Sequence, residues 1–258
     1  NTLGLITMRK KIYLIPGTMC NEKLWSECLP LLESVMGEHY EFVQVKIPRD
    51  MCFSQISAYL NDFFIEDKVI IIGFSLGGYI AAYFSTTFAE RVESAFIIAN
   101  SPCTLYPAEE KQREEIVEFV NRYGYKGLSK TRAAQLFDSS SWTEDQLEQL
   151  IDIMINMDAE LGEAEFKSQM HCTSKRADLF ELLANTQTQL TFYYSEHDPL
   201  VNSVWLNKLQ QANSNCLMIC NLGSSHMLPL EKPRELAEYV HMWLMPDSSE
   251  TGIAKVIS

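Results

Sequence analysis

Basic side chains are scarce in this sequence. Its 258 residues carry 21 Lys and Arg against 34 Asp and Glu, a formal charge of −13, and this balance argues against a nucleic-acid partner, because phosphate binding needs clustered cations. The seven cysteines (Cys20, Cys28, Cys52, Cys103, Cys172, Cys216, Cys220) include no C-x-x-C pair and no repeated metal-ligand spacing. Their odd number reads as reduced, structural thiols of a reducing compartment, so the expected location is cytoplasmic. Neither G-x-G-x-x-G nor G-x-x-x-x-G-K-[ST] occurs, which removes the common nucleotide loops. No metal or organic cofactor is implied. Residues 1–7 lack the basic start and long apolar stretch of a signal peptide. One uncharged run, Val69 to Ala89, is 21 residues long and could reach across a bilayer. Its β-branched opening, Val69-Ile70-Ile71-Ile72, followed by Gly73, Gly77 and Gly78, reads instead as buried strand, sharp turn and helix, so no membrane span is expected.

What remains is ordinary globular composition, 47% hydrophobic and 21% charged, which argues against disorder. Short runs rich in Val, Ile, Leu, Phe and Tyr recur at Lys11–Ile15, Glu41–Lys46, Val69–Phe74, Ala95–Ala99, Gln189–Tyr194 and Cys216–Cys220. Helical patterns fall between or after them at Leu24–Met36, Ser54–Phe64, Leu76–Phe88, Ser203–Ala212 and Arg234–Met245, with Pro233 suited to the first turn of the last,. Strands alternating with helices imply an α/β fold: a mostly parallel, doubly wound sheet covered on both faces. The alternation breaks between Cys103 and Thr188. There Ile116, Val117, Val120 and Tyr123, and again Leu147, Leu150, Ile151, Met154 and Met157, repeat at helical spacing,. Thr143 with Gln146 forms a capping box at the start of the second series. The expected organisation is a core of residues 8–102 and 186–246, a helical lid over 103–185, and a loosely held tail, 247–258.

The sharpest chemical signal is Gly73-Phe74-Ser75-Leu76-Gly77-Gly78, directly after a β-branched run and directly before a helical pattern. A serine at a strained strand-to-helix turn needs small neighbours, because side chains there would collide. The turn exposes the hydroxyl, and the helix N-terminus behind it favours developing negative charge. A serine of normal pKa also needs a base. Of five histidines, His226 lies in a loop past the last apolar strand, on the edge where all loops following parallel strands emerge and where Ser75 also sits. His39 lies in a polar connection, His171 in the expected lid and His241 within the last helix, while His197 directly precedes the candidate acid. The base needs an orienting acid, and Asp198, in the turn Ser195-Glu196-His197-Asp198-Pro199, follows another strand to the same edge. Glu196 is its rival in that turn.

The chain order Ser75, Asp198, His226 is that of α/β-hydrolases. Over nearly its whole length the sequence resembles single-domain, lidded serine hydrolases of the α/β-hydrolase fold, a group that includes the pimeloyl-carrier-protein methyl ester esterase and the menaquinone-pathway lyase. The segment Pro16-Gly17-Thr18, with Trp25 eight residues beyond Gly17, is similar to the family's H-G-x loop, with Pro16 where the family usually has histidine. His226-Met227-Leu228-Pro229-Leu230-Glu231-Lys232-Pro233 is similar to the segment leading into the family's last helix. The resemblance implies an oxyanion hole from the backbone N–H groups of Thr18 and Leu76, and hydrolysis of a small ester or thioester through an acyl-enzyme on Ser75. A carbon–carbon hydrolase or lyase with the same triad, or a slow-turnover ligand-binding homologue, is the alternative. Met19, Phe74 and Met227 flank the expected site and suggest an apolar pocket. Residues 103–181 hold nine Lys and Arg against sixteen Asp and Glu, so an acidic carrier protein is not an evident docking partner unless Arg113, Arg122, Arg132 or Arg176 cluster.

Overall fold

The computed structural model describes residues 8–246; the expected tail, 247–258, lies outside the described residues. Six strands, β1 (Lys10–Ile15), β2 (Tyr40–Gln44), β3 (Val69–Phe74), β4 (Val92–Ile98), β5 (Gln189–Ser195) and β6 (Cys216–Asn221), form one sheet in the order β2-β1-β3-β4-β5-β6. Every pairing is parallel. The central strand β3 is buried along its whole length, as a strand covered on both faces must be, and this is why Val69–Phe74 shows no polar alternation.

The pleat sends alternate side chains to opposite faces. Ile12, Leu14, Ile70, Ile72, Phe96 and Tyr193 point to one side, where α1 (Leu29–Met36) and α10 (Pro233–Leu244) supply Leu32, Met36, Leu236 and Val240. Tyr13, Ile15, Ile71, Ile97, Phe192 and Tyr194 point to the other, against α2 (Phe53–Phe63), α3 (Leu76–Thr87) and α8 (Ser203–Ala212). A fully buried side chain of this size contributes about 1.5–3 kcal/mol, so both layers are needed.

The helix expected over Leu24–Met36 is two pieces: a 3-10 turn at Glu22–Trp25 and α1 beginning at Leu29. Pro30 explains the break. Its ring would collide with the carbonyl four residues back in a continuous helix, whereas it fits in the first turn of a new one.

Between β4 and β5 the chain leaves the sheet and forms α4 (Pro107–Tyr123), α5 (Lys130–Ala134), α6 (Glu144–Thr173) and α7 (Phe180–Ala184). Thr143 and Gln146 cap α6 reciprocally, the Gln146 N–H donating to Thr143 Oγ1 at 3.3 Å and the Thr143 N–H to Gln146 Oε1 at 3.1 Å. Helix α6 breaks at Gly162, whose φ of 76° belongs to the region that favours glycine,. Ahead of the break, Leu150, Ile151, Met154 and Met157 join the α1/α10 core layer together with Ala133 and Phe137. Beyond it, Phe166 packs in a small separate cluster with Val120 of α4 and Met19. Among the described residues no helix is long and apolar enough to cross a membrane. The uncharged run from Val69 is divided between β3 and α3.

Candidate active site

Strand order reverses at β1: β2 lies on one side of it and β3 on the other. The loops leaving β1 and β3 therefore part in opposite directions at the carboxyl edge and open a crevice, the usual ligand position in such sheets. Ser75 sits there at φ 51°, ψ −115°, a backbone conformation strained for any residue with a Cβ. Its own N–H donates to the Ile98 carbonyl at 2.8 Å, and the glycines around it let the chain close. A Cβ on Gly73 would collide with the Gly77 carbonyl, one on Gly77 with the carbonyls of Ile15 and Pro16, and one on Gly17 would stand 2.8 Å from the Phe74 ring. These contacts press the loop after β1 against the turn after β3.

Two further loops converge on Ser75. The turn after β5 and the loop after β6 are tied by the Glu196 N–H to the Asn221 carbonyl (2.9 Å) and the His197 N–H to the Gly223 carbonyl (3.0 Å). The Ser195 hydroxyl donates to the Ser225 carbonyl at 2.7 Å. The result is a line of side chains: Asp198 Oδ2 lies 2.7 Å from His226 Nδ1, and His226 Nε2 lies 3.1 Å from Ser75 Oγ. The Asp198 side chain is fully buried and that of His226 4% exposed. Asp198 Oδ1 is occupied by the Leu200 N–H at 2.9 Å, which leaves Oδ2 for the ring. Glu196 points elsewhere, to the exposed ring of His197. His39 and His197 are exposed, His171 lines a separate surface groove and His241 lies in α10.

The loop carrying His226 is also held from the helical insertion. The Leu136 carbonyl accepts the N–H groups of both His226 (3.0 Å) and Met227 (3.3 Å), and the Asp138 carboxylate accepts the Ser224 N–H at 3.1 Å. Behind the loop lies Glu231, in α9 (Leu228–Glu231), buried. Its Oε1 accepts the Asp138 N–H (3.0 Å) and Trp142 Nε1–H (2.9 Å), and its Oε2 the Ser225 hydroxyl. Burial pushes the Glu231 pKa above the ordinary carboxylate value, while these three donors pull it back down.

A cavity of about 140 Å³ opens in front of Ser75, well under the roughly 300–1,000 Å³ of sites for drug-sized ligands. Thr18, Phe74 and Met227 line it. Met19 does not: at φ 53° the backbone turns its side chain away from the crevice and into the cluster with Val120 and Phe166. The insertion contributes Leu105, Glu109, Arg113, Leu136, Met154 and Arg176, none of which the sequence places at the site: Arg113 and Arg176 enter the sequence reading only as two of four arginines that could cluster for a docking partner, and Met154 only as part of a helical stripe. Two buried polar atoms of the wall, Asn100 Oδ1 and Arg113 Nη1, have no partner among the described residues. Leu76 opens α3, so its N–H has no acceptor within the helix. Among the described residues no group of three or more His, Cys, Asp and Glu is arranged to hold a metal ion.

The sequence matches a family model described as the alpha/beta hydrolase fold over residues 53–233. No curated protein matches it. Solved structures of the same shape include an esterase from Thermogutta terrifontis (TM-score 0.74, 13% identity, covering 91% of this chain and 89% of that one). An enol-lactonase from Burkholderia xenovorans (TM-score 0.74, 15% identity, 92% of each chain) and a carboxylesterase from Bacillus subtilis (TM-score 0.70, 15% identity, 93% and 85%) are similar to a comparable degree. At these identities the likeness is one of fold.

Proposed function

Because the chain belongs to the α/β-hydrolase fold family, we propose that it is a serine hydrolase that cleaves a small ester or thioester through an acyl-enzyme on Ser75. The observation that carries this reading is the buried line from Asp198 through His226 to Ser75, with 2.7 Å and 3.1 Å separations, on a serine held in a strained turn. His226 Nε2 takes the Ser75 proton as Oγ attacks the substrate carbonyl. Asp198 holds the ring with Nδ1–H toward itself and stabilises the imidazolium that forms. The N–H groups of Thr18 and Leu76 receive the oxyanion; removing one such donor typically slows turnover about 10²–10³-fold. The tetrahedral intermediate collapses as His226 protonates the departing alcohol or thiol. Water, deprotonated by the same ring, then attacks the acyl-enzyme, and Ser75 leaves with the proton returned. The helical insertion acts as the lid, placing its inner residues over the acyl group.

The test is labelling with a fluorophosphonate, read by intact mass, on the wild type, Ser75→Ala and His226→Ala. One adduct on the wild type and none on either variant is the expected result, with ester turnover falling by roughly 10⁶ in both variants. Near-normal turnover by Ser75→Ala would end this account.

A further inference from the structure

The cavity in front of Ser75 is small and of mixed lining, and its wall carries two guanidinium groups, Arg113 from α4 and Arg176 from the segment after α6, against one carboxylate, Glu109. Like charges brought together in a low-dielectric recess repel, and a sequence keeps them there at a loss unless an anion joins them. Neither arginine is fully employed by the protein. Arg113 Nη2 donates to Glu109 Oε1 at 3.2 Å, one turn back on the same helix, while Nη1 is buried and unpartnered. The Arg113 side chain is only 15% exposed, so bulk water does not satisfy it. Arg176 is fixed by Nε donating to the Thr173 carbonyl at 3.0 Å and by stacking over the Tyr79 ring at 5.3 Å. Its terminal nitrogens make no hydrogen bond among the described residues. Both guanidinium groups line the same cavity, and burial first, with the neighbouring Arg113 charge second, lowers the Arg176 pKa to about 10.

We propose that Arg113 and Arg176 form an anion subsite of the Ser75 cavity and that the substrate is a small ester or thioester bearing a free carboxylate. Rigid, planar guanidinium donors suit a carboxylate in a way a lysine does not. The charge balance selects a monoanion: two cations against Glu109 leave one positive charge uncompensated, which a carboxylate neutralises and a phosphate dianion exceeds. The volume favours a short chain between that carboxylate and the scissile carbonyl. This subsite names the substrate class of the hydrolase reading and rests on it.

Monomethyl glutarate, dimethyl glutarate and methyl valerate separate charge from shape. The wild type should favour the half-ester over both neutral esters in kcat/KM by about 10–100-fold, the range for a charge-assisted contact in a partly desolvated site. That ratio should collapse in Arg113→Gln and Arg176→Gln and be partly restored in Arg113→Lys. Thermal melts of each variant identify any that fail to fold, and the remaining arginine variant then carries the test. A wild-type ratio of one or less, or a ratio unchanged in both Gln variants, overturns the proposal. If no ester turns over and no fluorophosphonate adduct forms, it is the hydrolase reading that fails. The subsite is then read by calorimetry of glutarate binding to Ser75→Ala, with and without Arg113→Gln. Binding lost with Arg113 supports it, and no binding, or inorganic phosphate displacing glutarate at equal concentration, overturns it.

Discussion

Replacing Glu231 by alanine removes the single acceptor for three donors, the Asp138 N–H, the Trp142 indole N–H and the Ser225 hydroxyl. Glu231 is 7% exposed, so water does not readily take its place, and unsatisfied buried donors are destabilising by about 1–3 kcal/mol each. A loss of about 3–5 kcal/mol is expected, the range seen when one partner of a buried charged network is deleted. Two of those donors belong to the insertion and the third sits next to His226, so the damage extends to the proposed base: kcat should fall by roughly 10-fold or more, since a misplacement of about 1 Å can cost about 10²-fold. Glu231→Gln keeps the shape and loses the titration. Burial raises the Glu231 pKa in the folded state, so the folded protein holds this proton more tightly than the unfolded chain. The stability it contributes is therefore fully present below the ordinary carboxylate pKa and declines as pH rises through the raised value. Urea denaturation from pH 4 to pH 7 should show wild type losing ground to Glu231→Gln with increasing pH. A loss under about 1 kcal/mol in Glu231→Ala, or parallel pH profiles for wild type and Glu231→Gln, would refute the reasoning.

Gly77→Ala places a methyl group against the carbonyls of Ile15 and Pro16, backbone that cannot yield without moving the loop after β1. Fluorophosphonate labelling of Ser75 should be abolished even in the fraction that folds by circular dichroism. Arg91, at the opposite end of β4, donates to the carbonyls of Asn61, Phe64, Glu66 and Asp67 and to Asn61 Oδ1. Arg91→Ala should reduce stability by about 2–4 kcal/mol in urea with turnover unchanged below the melting transition. Among the thiols, Cys52 is exposed and its pKa is lowered chiefly by its hydrogen bond with the Ser54 hydroxyl, whereas burial pushes Cys20 and Cys28 up to about 12. Iodoacetamide at pH 7.5 should therefore alkylate Cys52 first, ahead of Cys220, the other exposed thiol; peptide mapping that finds a buried cysteine modified first would contradict this.

The turn around Ser75 could be read from the chain because its constraint is local: a strand, a residue with positive φ and a helix leave room only for glycine at Gly73 and Gly77. The alternation of β1 to β6 was equally legible, since a parallel sheet buried on both faces needs apolar runs followed by covering helices. Asp198 and His226 were reachable by one topological step, the shared edge of parallel strands. Boundaries were harder. Helical periodicity carried the expected first helix straight through Pro30, where backbone sterics overrule pattern. Met19 lies between two residues that line the cavity, yet a single positive φ turns it away, and no periodicity encodes that. Arg113 and Arg176 come from different parts of the insertion and share a cavity wall only because α4 and the segment after α6 fold over the same crevice; pairwise spacing in sequence carries no trace of that.

The bonds from Leu136 and Asp138 to the loop of His226, and from Trp142 to Glu231 behind it, divide the insertion into two parts with different freedom to change. The stretch from α5 to the first half of α6 is effectively part of the scaffold, because exchanging it removes the backbone acceptor of His226 and Met227. Helix α4 and the residues beyond Gly162 touch the crevice without holding the loop of His226. A chimera that swaps residues 104–128 for those of another member of the fold can thus inherit a new preference while keeping its chemistry, whereas a crossover placed anywhere within 136–142 would disconnect the machinery it was meant to redirect.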